Sequence, residues 1–448
     1  MLKRYMHKLK PKNQWLYWVL ALVMIPRIVL FFVNEQFNDD HITAVLLWDQ
    51  TGELPEARDC WECFQPPLFY SIIKIMNTAY HAKTWVEYFY LIQFFNFFIS
   101  LGLVWLILRF IENLLLPKWL SISSMLFWML NPELISAGAL ASNDLLLIFL
   151  SSITILLFYK YWKKDSLKLE IAIAIFLILL GITKGNGLVF SIAFPCIIFF
   201  KNIRDRDWKI PKIVRQLSIY AIVLTAIATV GRYYEKYEKY NNPFMTNVDP
   251  AYQLASWDEE GEMVFRKGVA TVKSAYFDYP LMSLLETPYN KNGTENDQAH
   301  RQNLWTQFVG QFSHYVFERW PAEWSCINND QYNFARVNFV LHTALIIFIF
   351  IPLFLVSKNP RNILKHSQFI NVLLLAFFLA FVIKYTYDFR DFSFMKVLFM
   401  FPILLPIIEL YSFAFAQVKQ KKVIPTLLFL CTILYQVSFV YLILALVS

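Results

Sequence analysis

The chain has 448 residues, of which 57% are hydrophobic and only 17% are charged. A soluble protein needs about 25% charged residues to cover its surface. The composition therefore excludes an ordinary soluble fold and, with a mean hydropathy of +0.43, predicts an all-α polytopic membrane protein. The net charge of +8 is expected to lie in cytoplasmic loops that orient the helices, and no nucleic-acid partner is predicted.

Apolar segments of about 20 residues, the length that crosses a bilayer core of roughly 30 Å, predict about eleven transmembrane helices. The first, 15–33, follows a basic stretch and has no small-residue cleavage site behind it, so it is predicted to be retained. The region 170–200 fits either two short helices or one long helix broken around 183–187. The predicted spans are 15–33, 89–111, 119–137, 144–161, 170–183, 187–200, 214–232, 338–357, 369–386, 394–413 and 423–447.

Charge predicts which side of the membrane each loop occupies. Eleven spans place four basic loops on the same side as the basic N-terminus, and the positive-inside rule makes that side cytoplasmic. Residues 34–66, on the opposite side, carry eight acidic residues and one basic residue, a net charge of −7. The basic loop residues are Lys160, Lys163, Lys164 and Lys168; Arg204, Arg206, Lys209 and Lys212; Lys358, Arg361 and Lys365; and Lys419, Lys421 and Lys422.

Three units are predicted along the chain. An N-terminal transmembrane module, 1–232, includes the first outer loop, 34–88. Segment 233–338 is too rich in aromatic residues for a disordered linker, so a small extracytoplasmic domain or a lid is expected there. C-terminal transmembrane helices fill 339–448, and no internal repeat of the transporter kind is found.

The acidic pair Asp39-Asp40 lies where the first span meets the predicted outer medium, and carboxylates near hydrocarbon are costly to hold. Adjacent side chains point in different directions, so at most one faces a substrate, and the other orients the loop or accepts backbone N–H groups. One interpretation is an inert, solvated turn. The other is a general base whose pKa is raised by partial burial beside His41.

The same outer loop ends in Cys60-Trp61-Glu62-Cys63, followed by Gln65 and two prolines. Cys60 and Cys63 fit a disulfide, a zinc half-site or two free thiols; no second Cys or His pair has matching spacing, so no metal site is predicted. The prolines fix an extended backbone and then permit a helix start. The short apolar stretch 68–76 fits an interfacial helix or simply a rigid turn.

Polar residues at the ends of later spans are further candidates. Asn143 or Asp144 either caps the helix beginning at Leu145 or belongs to a site. Lys184 interrupts a membrane segment, where a phosphate would be its natural partner unless its side chain snorkels to the interface.

Farther along, Arg390 and Lys396 lie at the predicted outer ends of two late spans. They fit either a phosphate clamp or ion pairs with Asp388 and Asp391.

The order of these features resembles the C-type (GT-C fold) glycosyltransferases, most closely family 39, which contains the protein O-mannosyltransferases and the lipid A aminoarabinose transferase. The chain departs from the family pattern in having Gln65 where His is usual and Asp40 where Glu is common. The segments that carry the resemblance are Asp39-Asp40, Gln65-Pro66-Pro67-Leu68-Phe69-Tyr70 (the family's HPPLYY), Asn131-Pro132 with Ser142-Asn143-Asp144-Leu145, Thr183-Lys184-Gly185 (the family's TKG), and the helix from Lys396 to Pro406.

The resemblance implies an inverting enzyme that moves a sugar from a polyprenyl-phosphate donor to a glycan, lipid or protein acceptor at the outer face. Asp39, or its neighbour Asp40, would be the general base. Lys184, with Arg390 or Lys396, would bind the donor phosphate.

The resemblance also implies substrate-binding or loop-shaping roles for His41, Gln65, Tyr70, Asn143 and Asp144.

No cofactor is required by the resemblance, and the acidic pair is where a divalent metal would bind if the enzyme used one. The expected location is a bacterial inner membrane, or the endoplasmic reticulum in a eukaryote.

The alternative function is a multi-pass transporter or flippase for lipids or glycans. Such a protein is expected to surround a mid-membrane cavity with polar residues, whereas here the polar candidates gather at the predicted outer ends of helices.

Overall fold

A computed structural model describes residues 15–34, 40–114, 116–247, 271–278, 303–313, 336–337, 340, 368–388 and 396–418. Within these ranges every regular element is helical, in agreement with the predicted all-α class. Two short 3₁₀ helices, Gly185–Gly187 and Val397–Ile403, complete the elements. The α-helices are α1 Trp15–Val33, α2 His41–Thr51, α3 Leu68–Tyr80, α4 Trp85–Asn113, α5 Lys118–Met129, α6 Pro132–Ala137, α7 Asp144–Lys163, α8 Leu167–Gly181, α9 Leu188–Asp205, α10 Ile210–Val230, α11 Tyr233–Tyr240, α12 Val272–Tyr276, α13 Leu304–Ser313, α14 Gln368–Asp388 and α15 Leu404–Val418.

Six helices in the described ranges are long and apolar enough to cross a membrane: α1, α4, α7, α9 with the 3₁₀ turn before it, α10 and α14. The chain is thus a multi-pass membrane protein by length and composition of its helices. The predicted spans 423–447 and nearly all of 338–357 lie outside the described residues, so the predicted total of eleven stays a prediction.

The predicted span 119–137 is wrong as a single helix. It divides into α5 and α6, and α6 begins at Pro132 with Asn131 as its N-cap. The Asn131 side chain accepts a hydrogen bond from the Leu134 amide at 3.2 Å. Proline lacks the amide hydrogen needed inside a helix but fits its first position, so it ends one helix and starts the next.

The region 170–200 forms two separate helices, α8 and α9, joined by a tight turn. Gly187 lies in the 3₁₀ turn against the end of α8, and a β-carbon there would lie only 2.2 Å from the Leu180 carbonyl oxygen. Nothing lies within 4 Å of the corresponding position at Gly185. Only Gly187 therefore needs to be glycine for this turn to close.

Replacing Gly187 by Ala is expected to destabilise the protein by about 1–3 kcal/mol, because the new methyl group meets backbone that cannot move without separating the two helices. Gly185→Ala, two residues away, is the matched control and is expected to leave the melting temperature nearly unchanged. Thermal unfolding of both variants in detergent measures the difference. Equal shifts for the two variants would contradict the close approach.

Helix α7 has 20 residues and so separates its two ends by about 30 Å. Around its start, side chains of α4 fix the end of α1 against the turn that precedes α7. Gln93 donates to the carbonyl oxygens of Asn34 (3.0 Å) and Ala139 (3.1 Å), and Asn96 donates to that of Ser142 (2.8 Å). This end of the helix bundle is called the site end below.

The opposite end of α7 joins two of the predicted basic loops. Lys212, in the first turn of α10, pairs with Asp165 before α8 at 2.6 Å, and the buried Lys201 pairs with Asp205. Arg215 forms two hydrogen bonds to the carboxylate of Glu170 at 2.9 and 3.0 Å. The basic segments around 160–168 and 204–212 thus lie at one end of the bundle, and the cytoplasmic side expected for them stays a prediction.

Candidate functional site

A cavity of about 920 Å³ lies at the site end between the loop 61–66, α9, α10, α11 and α14. Its walls differ in character. Helices α9, α10 and α14 supply apolar side chains, namely Leu188, Val189, Ile192, Leu224, Ile227 and Phe381. Loops, helix ends and α11 supply charged and polar side chains, namely Glu62, Gln65, Asp144, Lys184, Lys236 and Lys396.

Four residues proposed from the sequence therefore line one cavity: Gln65, Asp144, Lys184 and Lys396. One motif contacts the residue that precedes another, because the Leu68 amide at the start of α3 donates to the Ile182 carbonyl oxygen at 2.9 Å. The fold brings the segments 65–70 and 183–185 together although α4 to α8 separate them in sequence.

Lys184 is held by an acid. Its Nζ atom lies 2.6 Å from Oδ1 of Asp144, and the two side chains are only 9% and 7% exposed. The sequence suggested a phosphate ligand or a snorkelling side chain for Lys184, and a capping role for Asp144. The structure instead gives each of them an oppositely charged partner. Donor-phosphate binding by Lys184 stays a prediction, and it requires the phosphate to join or displace Asp144.

Asn143 occupies the N-cap position of α7, but its side chain makes no capping hydrogen bond. It is fully buried, and neither amide atom has a hydrogen-bond partner within the described ranges. The predicted cap is therefore wrong for the Asn143 side chain. Asp144 lies in the first turn, where a negative charge is favoured by the helix dipole.

Asp40 caps α2. Its Oδ1 accepts from the Thr43 amide at 3.1 Å and its Oδ2 accepts from the Thr43 hydroxyl at 2.5 Å. Both carboxylate oxygens thus serve the start of a helix, the orienting role expected of one member of the acidic pair. Asp39 lies outside the described residues, and its role as a base stays a prediction.

His41 and Tyr70 connect α2 and α3, the two short helices between α1 and α4. The buried His41 Nδ1 lies 2.9 Å from the Tyr70 hydroxyl, which donates to the Glu62 carbonyl oxygen at 3.1 Å. A tyrosine has one hydroxyl proton, so Tyr70 accepts from a protonated Nδ1 of His41. These contacts shape the loop, which is one of the two roles suggested for both residues.

Glu62 is a site residue that sequence reasoning did not single out. It is 4% exposed and lines the cavity. Gln65 donates to its Oε2 at 3.0 Å and Asn247 to its Oε1 at 3.3 Å. Its position between two cysteines was the available signal, but only the fold shows that the carboxylate points inward.

Cys60 and Cys63 form a disulfide with a Cα–Cα distance of 5.1 Å. The bridge closes the turn that carries Glu62 and leads into Gln65. It therefore fixes one wall of the cavity.

Replacing both Cys60 and Cys63 by Ser is expected to lower stability by about 2 kcal/mol, because the unfolded chain regains the freedom of a four-residue loop. Cys196 in α9 carries a free thiol, and Cys196→Ser is the control for loss of a sulfur atom alone. Melting temperatures of the two variants, with and without reductant, test this. Reductant is expected to lower the native value to that of the double variant, and no effect of reductant would contradict a structural bridge.

Lys236 on α11 is a second missed residue. It is 5% exposed, donates to the Phe64 carbonyl oxygen at 3.3 Å, and lies 4.7 Å from the centre of the Tyr233 ring. Burial, with a smaller effect from the positive charge of Arg232, lowers the pKa of Lys236 to about 8. The sequence Tyr-Tyr-Glu-Lys-Tyr-Glu-Lys-Tyr does not tell which lysine is buried.

The late basic residues are only partly described. Lys396 lines the cavity at the start of the second 3₁₀ helix, and Asp388 pairs with Lys384 on α14. Arg390 and Asp391 lie outside the described residues. No cluster of His, Cys, Asp and Glu with metal-binding geometry occurs in the described ranges.

Arg27 was also missed, although a charge inside the apolar run of α1 is a signal in itself. It is 2% exposed and donates to the Ser100 hydroxyl at 3.0 Å and to the Val23 carbonyl oxygen at 2.9 Å. It does not line the cavity.

No protein-family model, curated protein or solved structure matches this chain. The resemblance to C-type glycosyltransferases therefore depends on the sequence motifs and their order along the chain.

Proposed function

We propose that the protein is a membrane glycosyltransferase that moves a sugar from a polyprenyl-phosphate donor to a glycan, lipid or protein acceptor. The cavity is the observation that supports this most. Ligand sites are concave and largely apolar, with a few polar groups that fix orientation. A long apolar tail between α9, α10 and α14, with its phosphate at the charged end, matches this lining.

In the proposed reaction, an acceptor hydroxyl attacks C1 of the sugar on the face opposite the phosphate. The new C1–O bond forms as the bond from C1 to the phosphate oxygen breaks, and polyprenyl phosphate leaves with that electron pair. A general base takes the hydroxyl proton, and cations stabilise the negative charge on the leaving phosphate. The product has the inverted configuration at C1.

Asp39 is the preferred general base because Asp40 already serves as the N-cap of α2. Both oxygens of Asp40 accept hydrogen bonds from Thr43, so Asp40 serves the helix. Asp39 is therefore the member of the acidic pair that we assign to take the proton of the acceptor hydroxyl.

A flippase would use a similar cavity but would leave the donor intact. The charged lining groups come from loops, helix ends and α11 rather than from the middle of spans, which supports a transferase. The experiment is reconstitution in vesicles with a polyprenyl-phosphate sugar labelled in both sugar and lipid. A transferase separates the two labels, whereas movement of the intact donor between leaflets without separation of labels would support the flippase.

A further inference from the structure

The three lysines around the cavity differ in their partners. Lys184 is neutralised by Asp144 at 2.6 Å. Lys396 lies at the start of a 3₁₀ helix at the cavity rim. Lys236 is buried, yet it forms no ion pair with a carboxylate in the described part of the chain, although Glu235 and Arg232 are its neighbours on α11.

A buried lysine without an acidic partner is unusual, because burial of a charge is costly unless the charge is paired. An ammonium group has three N–H donors. Among described residues Lys236 uses one of them, on the Phe64 carbonyl oxygen, and its remaining contact is the face of the Tyr233 ring. This leaves donors for a ligand in the cavity.

Two other buried polar groups line the same cavity without partners. The Asn186 side-chain nitrogen and the Ser191 hydroxyl have no hydrogen-bond partner within the described ranges. Asn186 is 8% exposed and Ser191 2%. Nearly all buried polar atoms in proteins are hydrogen-bonded, so these two groups are exceptions beside the cavity.

We propose that Lys236 binds the phosphate of a lipid-linked substrate, while Lys184 holds Asp144 in place. The assignment deepens the proposed glycosyltransferase function and rests on it. The ligand class is a phosphate ester on a long apolar chain, since Lys236 lines the cavity together with apolar side chains of α9, α10 and α14.

The backbone around Lys236 is fixed before any ligand arrives. Arg232 donates to the Pro55 carbonyl oxygen at 2.5 Å and binds both oxygens of Glu235, at 2.7 and 2.8 Å. Lys239, one turn farther, pairs with Glu56 at 2.7 Å. These contacts clamp α11 onto the outer loop, so a phosphate would meet a preorganised cation.

The test is binding of polyprenyl phosphate to the purified full-length protein in detergent, which requires no sugar transfer. Lys236→Gln is expected to weaken binding about 10- to 100-fold, the range for a charge-assisted hydrogen bond, and Lys236→Arg is expected to retain most of it. Lys273→Gln is the control: the same substitution at a lysine that is 81% exposed and does not line the cavity, with native affinity expected.

A pH series on the native protein requires no variant and reports on the charge itself. Arg232 and Glu235 on α11 are the charged neighbours that act on Lys236. The other charged residues that line the cavity are Glu62, Asp144, Lys184, Asp388 and Lys396. With its pKa near 8, Lys236 loses its proton as pH rises through that value. Native affinity is expected to fall between pH 7 and 9.5, and the Lys236→Arg variant is expected to remain constant.

Native affinity in Lys236→Gln, or a flat pH series in the native protein, would overturn the assignment. Loss of lipid binding in Lys236→Gln without turnover of any sugar donor would keep the assignment and reject the transferase. If Lys236→Gln turns over the donor with an unchanged KM, the transferase function is kept and the assignment of Lys236 as the phosphate ligand is rejected. Phosphatidylglycerol is tested in the same binding assay. If it binds as tightly as polyprenyl phosphate, the cavity is a general phospholipid site and not a site for polyprenyl phosphates.

Discussion

Replacing Asp39 by Asn is expected to lower the rate of sugar transfer by about 10²- to 10⁴-fold, the usual contribution of a general base. The amide cannot accept the proton of the acceptor hydroxyl, but it has nearly the same size, so folding and donor binding should persist. Transfer rates at saturating donor, with donor affinity measured separately, test this. The expected pattern is a lower kcat with little change in donor affinity.

Asp40→Asn is the matched control, because the same substitution one residue later removes the same charge. Asn is as good an N-cap as Asp, so its Oδ1 is expected to keep the hydrogen bond from the Thr43 amide. Its amide nitrogen would donate to the Thr43 hydroxyl that now donates to Oδ2, and activity is expected to stay near native. Asp40→Ala, which removes the cap, is expected to cost about 0.5–2 kcal/mol of stability. If Asp40→Asn is inactive and Asp39→Asn is native-like, the roles assigned to the two acids are reversed.

Replacing Asp144 by Asn is expected to destabilise the protein by about 3–5 kcal/mol, because it leaves the buried ammonium of Lys184 without its counter-charge. Lys184→Gln is expected to cost a similar amount for the converse reason. The double variant, with an amide on each side, is expected to be more stable than either single variant. Melting temperatures of the native protein and the three variants form a double-mutant cycle.

The ion pair between Lys273 and Asp278 is the control for this cycle. Those side chains are 81% and 51% exposed and 3.9 Å apart, and exposed pairs contribute about 0–1 kcal/mol. Lys273→Gln should therefore have little effect. A stable Lys184→Gln variant that has lost donor affinity would contradict the structural role and support Lys184 as the phosphate ligand.

The sequence predicted the long apolar helices well where nothing interrupts them. The predicted spans 15–33 and 144–161 agree closely with α1 and α7, because an apolar run of that length has few other ways to satisfy its backbone. The span 119–137 failed at Pro132, since its apolar composition outweighed the proline in the prediction. The break at 183–187 was recognised because a lysine and two glycines interrupt the run.

The candidate site was predicted only in outline. Gln65, Asp144, Lys184 and Lys396 meet at one cavity, but the pairing of Asp144 with Lys184 joins positions 40 residues apart and no local pattern contains it. Burial of Lys236 depends on the packing of α11 against the segment that contains Pro55 and Phe64, far away in sequence. Local motifs indicate which residue types are present, whereas partners are decided by the tertiary fold.

The measurement that tests the central claim most directly is release of polyprenyl phosphate by the purified native protein. A panel of radiolabelled polyprenyl-phosphate sugars would be offered in detergent with membrane extract as the source of acceptor. The account predicts that at least one donor yields polyprenyl phosphate and a sugar of inverted C1 configuration on an acceptor, in equal amounts. Donors that bind at the cavity but remain intact throughout the panel would contradict a glycosyltransferase.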